Sequence, residues 1–296
     1  MSNTFQNQLK RYTDYFEEKL NKYMQSMRIK PEILQKSMQY SLSAGGKRLR
    51  PILMYAVTEM LGGNIKKVTN LAIAMEMVHT YSLIHDDLPA MDNASMRRNL
   101  PTNHIQFGEG QAVLAGDALL SQAFSICMQE SLLGREYIQA GICLAQCAGA
   151  YGMVAGQAAD IFYQHNTDDF NQENLQFIHL HKTGKLIIAS LLIPAYLQNV
   201  DAKILQNLYA LGDYLGKIYQ FTDDLLDIKG NSKLVGKDVG LDAKANKLSA
   251  VSVYGEKECQ RLLEEYQQKA TTILNDMPVE SSFLKDFLQY LIDRKK

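Results

Sequence analysis

Two short segments place clusters of aspartates at the ends of apolar stretches. They read YSLIHDDLPAMD at 81–92 and FTDDLLD at 221–227. The aspartates concerned are Asp86, Asp87, Asp92, Asp223, Asp224 and Asp227. Carboxylates this close repel one another unless positive charge lies among them. One cluster alone would suit a solvated helix end, but two facing clusters would form one strongly negative cavity.

The ligand types indicate which cation such a cavity would hold. Carboxylates without neighbouring cysteines or paired histidines favour Mg²⁺ over zinc. An EF-hand is excluded, because the loop lacks its Asp-x-Asp-x-Asp-Gly order. Mg²⁺ binds few carboxylates, keeps water and usually completes its shell with substrate phosphates. The clusters therefore predict an Mg²⁺-dependent site for a phosphorylated substrate.

Basic residues should then lie near the aspartates to bind phosphate. They occur in GGKRLRP (45–51), MRRNLPTNH (96–104), HKTGK (181–185) and GKDVGLDAKANK (236–247). Arginine forks onto phosphate oxygens, whereas lysine acts as a point charge. A single basic residue is usually solvated, but four groups, two of them flanking the aspartates, indicate phosphate binding. The candidates are Lys47, Arg48, Arg50, Arg97, Arg98, Lys182, Lys185, Lys237, Lys244 and Lys247.

The elements that must position these residues are predicted to be helices. Apolar residues recur at three- and four-residue spacing, and breaks fall where Gly, Pro or Asn cluster. Since no linker or solenoid repeat divides the chain, we expect one all-α domain over 1–296, a large helical bundle. The helices are expected near 4–27, 31–43, 48–62, 65–88, 110–131, 135–164, 171–198, 202–229, 255–276 and 280–294.

The predicted helix 65–88 leads into the first aspartate cluster. At 100° per residue, His79, Ser82 and Asp86 lie on one side of it. Pro89 disfavours helix at the residue before it and ends the run. We therefore expect Asp92 to return toward the helix from a loop.

Composition excludes several other classes of protein. Lys+Arg number 31 against 32 Asp+Glu, with no basic block, so nucleic-acid binding is not expected. The polar N-terminus lacks a signal-peptide pattern, and the longest apolar stretch, 186–197, is too short to span a bilayer. Cys143 and Cys147 fit reduced packing residues better than a zinc site. These features predict a soluble, cytoplasmic protein without stable membrane insertion.

Together these features resemble the trans-isoprenyl diphosphate synthases over nearly the whole chain. HDDLPAMDNASMRR is similar to that family's first aspartate-rich motif, in the bacterial form with two extra residues before the last aspartate. FTDDLLD is similar to the second motif. EMVHTYSLIHDDLPAMD and GQAVLAGDALL are most similar to the bacterial short-chain branch that makes farnesyl diphosphate. The resemblance implies the isoprenoid synthase fold, a helical bundle around a central cavity.

The resemblance also implies a role for each matching residue. Isopentenyl diphosphate would be bound by Lys47, Arg50, His79 and Arg98. The allylic diphosphate would be bound by Arg97, Lys182, Lys237 and Lys247, with Thr183 and Gln220 beside the allylic carbon. The Mg²⁺ ligands would be Asp86, Asp92 and Asp223, supported by Asp87, Asp224 and Asp227.

Three segments depart from the family pattern. Residues 93–96 lack the further acids that are common there, Asn99 stands where glycine is common, and NKLSA replaces Lys-Ser/Thr-Thr/Ser-Tyr-Pro. Every matched metal ligand and arginine remains. The departures therefore bear on loop mobility and metal affinity rather than on the reaction.

The implied activity is prenyl transfer. Isopentenyl diphosphate would condense with dimethylallyl or geranyl diphosphate by ionisation, condensation and elimination, giving (2E,6E)-farnesyl diphosphate. The resemblance implies three Mg²⁺ ions, with Mn²⁺ as a substitute, and a homodimer. The alternatives are a geranylgeranyl diphosphate synthase, a terpene cyclase-like lyase, a non-catalytic partner subunit and a helical interaction protein. A second diphosphate site argues against the lyase, and the intact aspartates argue against the last two.

Product length should depend on residues beneath the first cluster. The growing chain must extend away from the aspartates, between helices. Ser82 lies one helical turn beneath Asp86, and Tyr81 lies on an adjacent flank. Tyr81 would ordinarily be a core aromatic, but a bulky ring at this position accompanies short products in the family. The pattern therefore favours the fifteen-carbon product over the twenty-carbon one.

Overall fold

The computed structural model describes residues 3–164, 166, 171–229 and 249–294. Its helices are α1 (Asn3–Ser26), α2 (Glu32–Ser43), α3 (Leu49–Met60), α4 (Thr69–Asp86), α5 (Asn103–Phe107), α6 (Glu109–Glu130), α7 (Arg135–Ala148), α8 (Met153–Gln164), α9 (Gln172–Ile178), α10 (Lys185–Leu197), α11 (Ala202–Lys229), α12 (Ala250–Tyr254), α13 (Glu256–Asp276) and α14 (Ser282–Asp293). A π-helical turn, His179–Gly184, joins α9 to α10, and 3-10 turns span Ile65–Lys67 and Ser131–Leu133. Two short antiparallel strands, β1 (Met96–Arg97) and β2 (Leu100–Pro101), follow α4.

Helices α3, α4 and α10 form the centre of the bundle. In α10 every residue from Leu186 to Ala195 is buried. A helix buried on all sides belongs to the interior of a large bundle. Helix α4 packs along α6, and α10 packs along α3, α7 and α11. The amphipathic helices α13 and α14 both cover α11. The bundle thus fixes α4 and α11, the two helices that carry the aspartates.

The predicted all-α fold is confirmed, but several helix boundaries were wrong. The helix expected over 135–164 is broken at 149–152, between α7 and α8. A Cβ added to Gly152 would lie 2.0 Å from the carbonyl oxygen of Cys147, so this turn requires glycine. The helix expected over 65–88 ends at Asp86, and the one expected over 171–198 contains the π-helical turn. Helices α5 and α12 and the β-hairpin were not predicted.

Helices α6, α7 and α8 leave apolar side chains exposed. The stretches Glu109–Leu133 and Arg135–Gln164 are long and apolar enough to cross a membrane by length and composition alone. The turn at 149–152 divides the second stretch into two helices, neither long enough to span a bilayer. The exposed apolar residues of these helices include Val113, Leu114, Met128, Ile138, Ile142 and Val154.

Candidate active site

The loop after α4 folds back over the end of that helix. The backbone N–H of Asp92 donates to the carbonyl of Asp86 at 2.8 Å, and that of Ala94 to the carbonyl of Asp87 at 3.1 Å. Asn93 has a left-handed φ of 47°, which asparagine adopts more readily than most residues. The predicted return of Asp92 to the helix is therefore confirmed.

Asp87 is buried and forms a two-pronged pair with Arg97. Arg97 Nε lies 2.8 Å from Asp87 Oδ2, and Nη2 lies 2.7 Å from Oδ1. Burial raises the pKa of Asp87, although Arg97 acts to lower it. Burial lowers the pKa of Arg97, but Asp87, Asp86 and Asp92 outweigh this effect and the pKa is raised. Asp87 thus holds a guanidinium beside the other two carboxylates.

Arg97 and Arg98 diverge because the chain turns sharply between the two strands. Arg98 and Asn99 have φ values of 53° and 62°, which fits a two-residue type I′ hairpin. This backbone explains why glycine or asparagine suits position 99. The Arg98 guanidinium donates to the carbonyl of Gly45. A Cβ added to Gly46 would lie 2.6 Å from Arg98 Cζ, so Gly46 makes room for Arg98.

His79 lies among several of these arginines. Burial, together with the charges of Arg50 and Arg98, lowers its pKa well below the ordinary value, so the imidazole is neutral near pH 7. Burial also lowers the pKa of Arg50, whose Nε has no hydrogen-bond partner among the described residues. The structure therefore brings Arg50, His79 and Arg98 into one cationic region, with Lys47 exposed at the surface.

Arg48 and Lys185, two other candidates from the basic segments, make structural contacts. Arg48 Nε lies 2.7 Å from Glu17 Oε1, Nη1 lies 2.8 Å from Glu76 Oε1, and Nη2 donates to the carbonyl of Leu42. This buried guanidinium links α1, α2 and α4. Lys185 Nζ donates to the hydroxyl of Tyr209 at 3.3 Å. The interpretation of Arg48 as a phosphate ligand was wrong, because its guanidinium hydrogen-bonds to Glu17, Glu76 and the Leu42 carbonyl within the bundle.

The π-helical turn His179–Gly184 presents Lys182 and Thr183. Such turns inserted in helices are frequent at functional sites. A Cβ on Gly156 of α8 would lie 2.0 Å from the backbone nitrogen of Lys182, and one on Gly216 of α11 would lie 2.7 Å from Gly184 Cα. These glycines allow α8 and α11 to close on the turn from two sides. The turn is therefore fixed by backbone contact.

Lys182 is paired with a buried acid of α8. Its Nζ donates to Oδ2 of Asp160. Burial lowers the pKa of Lys182, but the charges of Asp160, Asp86 and Asp92 and the hydrogen bond outweigh this effect and the pKa is raised. Lys182 therefore stays an ammonium ion within electrostatic reach of the first aspartate cluster.

A chain of hydrogen bonds links Thr183 to α12. Asp224 Oδ2 accepts from the backbone N–H of Ala250 at 2.6 Å, and Oδ1 accepts from Gln220 Nε2 at 2.8 Å. Because Asp224 only accepts when ionised, it fixes the Gln220 amide with Oε1 toward Thr183. Thr183 Oγ1 then donates to that oxygen at 3.1 Å. His179 Nε2 lies 3.6 Å from Asp224 Oδ2. Asp224 thus orders two predicted site residues.

Asp223 pairs with an arginine that follows α14. Arg294 Nη2 lies 2.9 Å from Asp223 Oδ1, and the Arg294 side chain is only 3% exposed against 38% for Asp223. Arg294 Cζ also lies 3.9 Å from the centre of the Tyr219 ring. Asp227, one helical turn after Asp223, is half-buried.

The acidic side chains fit Mg²⁺ as a partial ligand set. In the part of the chain that the structure describes, no three acidic, histidine or cysteine side chains converge on one ion position. The loop after α4 brings Asp92 back to Asp86, and their carboxylate oxygens are the ligand type that Mg²⁺ prefers, with water and phosphate completing its shell. The cations of Arg97 and Lys182 lie within electrostatic reach of Asp86 and Asp92, where a phosphate would meet them. Lys237 and Lys247 lie outside the described residues.

Sequence reasoning missed Asp160 and Arg294. Asp160 is a buried acid in a helix of small and apolar residues, and that unusual setting is a usable signal. Arg294 lies in the charged segment DRKK. A segment of that composition is ordinarily expected to be exposed, so the sequence did not predict that Arg294 is buried.

Tyr81 is buried in α4, and its ring meets His85 edge-on with centroids 5.7 Å apart. His85 Nε2 lies 3.0 Å from the carbonyl of Val113 on α6. A Cβ on Gly116 would lie 2.1 Å from His85 Nε2, so α6 leaves a notch for the imidazole. The Tyr81 ring is thus supported from α6. Ser82 is half-buried and donates to the carbonyl of His79 at 2.8 Å.

The sequence matches the polyprenyl synthetase family model over residues 31–280. It is 38% identical over 280 residues to a farnesyl diphosphate synthase of Micrococcus luteus, covering 95% of this chain and 94% of that protein. It is 41% identical over 244 residues to the chloroplastic geranylgeranyl pyrophosphate synthase 11 of Arabidopsis thaliana, covering 81% and 68% respectively.

The fold is similar to those of two bacterial geranyltransferases. The Legionella pneumophila enzyme superposes with a TM-score of 0.87 at 29% identity, covering 99% of each chain. A Helicobacter pylori enzyme, complexed with magnesium and isoprenyl diphosphate, gives a TM-score of 0.83 at 31% identity, covering 97% of this chain and 96% of that one. The chain therefore belongs to the polyprenyl synthetase family and is a trans-prenyl diphosphate synthase of the type that makes farnesyl or geranylgeranyl diphosphate.

Proposed function

We propose that this protein condenses isopentenyl diphosphate with dimethylallyl and then geranyl diphosphate, giving (2E,6E)-farnesyl diphosphate. The observation that carries the proposal is that the basic site residues fall into two neighbouring groups, in which Arg97 and Arg98 contact different partners. Arg97 and Lys182 form one group, paired with acids that hold their charge. Arg98, Arg50 and His79 form the other group. Two groups suit two diphosphates, whereas a lyase needs one.

The allylic diphosphate would bind between Arg97 and Lys182. Both are fixed by buried acids, Asp87 and Asp160, so they present preorganised positive charge to the leaving group. Mg²⁺ held by Asp86, Asp92 and Asp223 would take up further negative charge as the diphosphate departs. Lys237 and Lys247 would complete this set from outside the described residues.

Isopentenyl diphosphate would bind at Arg50, His79 and Arg98, with Lys47 at the entrance. A neutral imidazole can donate one hydrogen bond to a phosphate oxygen without adding charge. The left-handed backbone at Arg98 directs its guanidinium away from Arg97, toward Gly45. Each substrate therefore meets a different arginine.

Thr183 and Gln220 would stabilise the allylic cation. The Thr183 hydroxyl donates a hydrogen bond to Gln220 Oε1. The lone pairs of Thr183 Oγ1 therefore remain available to face positive charge. The double bond of isopentenyl diphosphate attacks the cation, and a C–C bond forms. The new cation then loses a proton, which the released pyrophosphate takes up, as the family resemblance implies.

The fifteen-carbon product is proposed because the Tyr81 ring is buried and supported beneath Asp86. His85 packs against the Tyr81 ring and is itself held against α6 at Gly116. The Tyr81 ring therefore has little room to move aside for a longer product. The relatives do not decide the matter, because they include both farnesyl and geranylgeranyl synthases. Without such a barrier, a further five-carbon unit would gain roughly 4 kcal/mol by burial at ~0.8 kcal/mol per carbon.

The test is product analysis of the purified protein with labelled isopentenyl diphosphate and each allylic substrate. Mainly farnesyl diphosphate is expected. Mainly geranylgeranyl diphosphate would replace the proposal with the twenty-carbon synthase. Conversion of an allylic diphosphate alone to hydrocarbon would indicate a lyase, and no turnover would indicate a non-catalytic subunit.

A homodimer is part of the proposal, because helices α6–α8 expose apolar side chains that association with another chain would bury. We expect a second copy of the chain to cover them, since twofold dimers are the commonest symmetric assemblies. The formal net charge of the chain is −1, so two copies would repel each other little. Light scattering after size exclusion should give twice the chain mass of 33.4 kDa. Replacing Leu114 with Arg should shift the protein toward monomer, whereas replacing the equally exposed Ile105 should do so less.

A further inference from the structure

We propose that Arg294 occupies the place of a cation at Asp223 and leaves when a divalent ion binds there. The inference rests on the proposed function in assigning Asp223 to a metal. It begins from the ion pair of 2.9 Å between Arg294 Nη2 and Asp223 Oδ1. A guanidinium at this distance neutralises the carboxylate that the second aspartate cluster would offer to an ion.

Hydrogen bonding to the Arg294 guanidinium is incomplete in the part of the chain that the structure describes. Its Nε and Nη1 are buried and have no hydrogen-bond partner among the described residues. Buried guanidinium nitrogens without partners lose hydration that the protein does not replace. Arg50 lies in the same region, since both arginines act on the pKa of Tyr219 in the same direction.

Besides its pair with Asp223, Arg294 contacts Tyr219 in two ways. It stacks on the Tyr219 ring at 3.9 Å and donates to the Tyr219 carbonyl. It directly follows Asp293, the last residue of α14, so its release does not require α14 to unwind. A divalent ion at Asp223 would repel the guanidinium and remove its only carboxylate partner in the described residues. Metal binding at Asp223 and release of Arg294 are therefore coupled.

The first test is Mn²⁺ binding, measured by electron paramagnetic resonance with the metal alone. Arg294→Gln should bind Mn²⁺ roughly three- to tenfold more tightly than the wild type, because the competing ion pair is gone. Arg261→Gln is the matched control, since Arg261 is an exposed arginine that pairs with Glu258 and Glu265 on α13. The gain should vanish in the Asp223→Asn/Arg294→Gln double variant. Equal or weaker binding by Arg294→Gln overturns the proposal.

The second test uses the wild-type chain, so that any loss of packing in the variant is irrelevant. Hydrogen exchange at the amides of residues 288–294 is measured without metal, with Mn²⁺, and with Mn²⁺ plus inorganic pyrophosphate. Exchange there should become faster with metal, while the amides of α13 stay unchanged. Unchanged or slower exchange at the chain end overturns the proposal.

These outcomes are separable from the prenyltransferase activity. Tighter Mn²⁺ binding by Arg294→Gln in a protein that forms no prenyl diphosphate would overturn the proposed function alone. Full prenyl transfer with no change in Mn²⁺ affinity would overturn the role of Arg294 alone.

Discussion

Arg97 and Arg98 are neighbours in sequence, yet the guanidinium of Arg97 lies against Asp87 and that of Arg98 lies against the carbonyl of Gly45. Arg97→Gln should therefore raise the KM for the allylic diphosphate, and Arg98→Gln the KM for isopentenyl diphosphate, each by about tenfold or more for a lost charged contact. Steady-state kinetics with each substrate varied separately checks this division.

Lys10→Gln is the matched control for both arginine variants, because Lys10 is exposed on α1 and pairs with Asp14 one helical turn away. Its KM values should match those of the wild type. If Arg97→Gln and Arg98→Gln weaken the same substrate equally and spare the other, the two-group assignment is wrong.

The Asp87–Arg97 pair makes stability depend on pH. Burial already raises the pKa of Asp87, and loss of Arg97 would raise it further. A raised folded-state pKa means that stability is fully present below the unfolded-state pKa and is lost as pH rises through the folded value. Arg97→Gln should therefore cost about 1–3 kcal/mol near pH 8 and less near pH 5. Urea unfolding at the two pH values measures the difference.

The double variant Asp87→Asn/Arg97→Gln supplies the control for this pH effect. With the ionisable carboxyl removed, the gap between pH 8 and pH 5 should close. A gap that persists in the double variant would assign the effect to another titrating group.

Both aspartate clusters should be needed for turnover. Asp86→Ala and Asp223→Ala should each lower kcat by about 100-fold or more, which corresponds to ~2.7 kcal/mol of transition-state stabilisation. Folding should change little in Asp86→Ala, because Asp86 is partly exposed, whereas Asp223→Ala also removes the carboxylate partner of the buried Arg294 and is checked by urea unfolding. Asp14→Ala, an exposed change on α1, should leave kcat unaltered. Near-normal turnover in the presence of a chelator, or in Asp86→Ala, contradicts a metal-dependent leaving group.

Tyr81 should set the length of the product. Tyr81→Ala should lengthen it by one or more five-carbon units, because removing the ring relieves overpacking worth about 1–3 kcal/mol. Tyr81→Phe keeps the ring and should keep the wild-type product. Chromatography of the dephosphorylated prenyl alcohols measures the distribution. An unchanged distribution in Tyr81→Ala would place the limit at a side chain deeper between the helices.

Sequence patterns predicted those parts of the site that depend on local spacing. Pro89 predicted that this helix stops near the aspartates, although α4 ends at Asp86 rather than at 88, and the return of Asp92 follows from that stop. The turn between α7 and α8 was missed because the apolar pattern of the predicted helix 135–164 continues across GAYG. Glycine there is required by a carbonyl contact, which periodicity does not reveal.

Long-range pairs were beyond the reach of the sequence. Lys182 and Asp160 are 22 residues apart, and Arg294 and Tyr219 are 75 apart. Such partners are chosen by helix packing, which spacing along one element cannot specify. Arg48 illustrates the converse, because its type and its neighbours resembled phosphate ligands while its buried contacts are structural.

The π-helical turn makes the region sensitive to chain length as well as to residue type. A π turn accommodates an extra residue within an otherwise regular helix, and each α-helical residue advances the direction of its side chain by about 100°. Deleting one residue within His179–Gly184 would allow a regular α-helix to form through this point. Because the turn itself takes up the extra residue, α10 would keep its register with the bundle, but side chains within the turn, among them Lys182 and Thr183, would change direction. Insertions and deletions here should therefore be tolerated far less than substitutions.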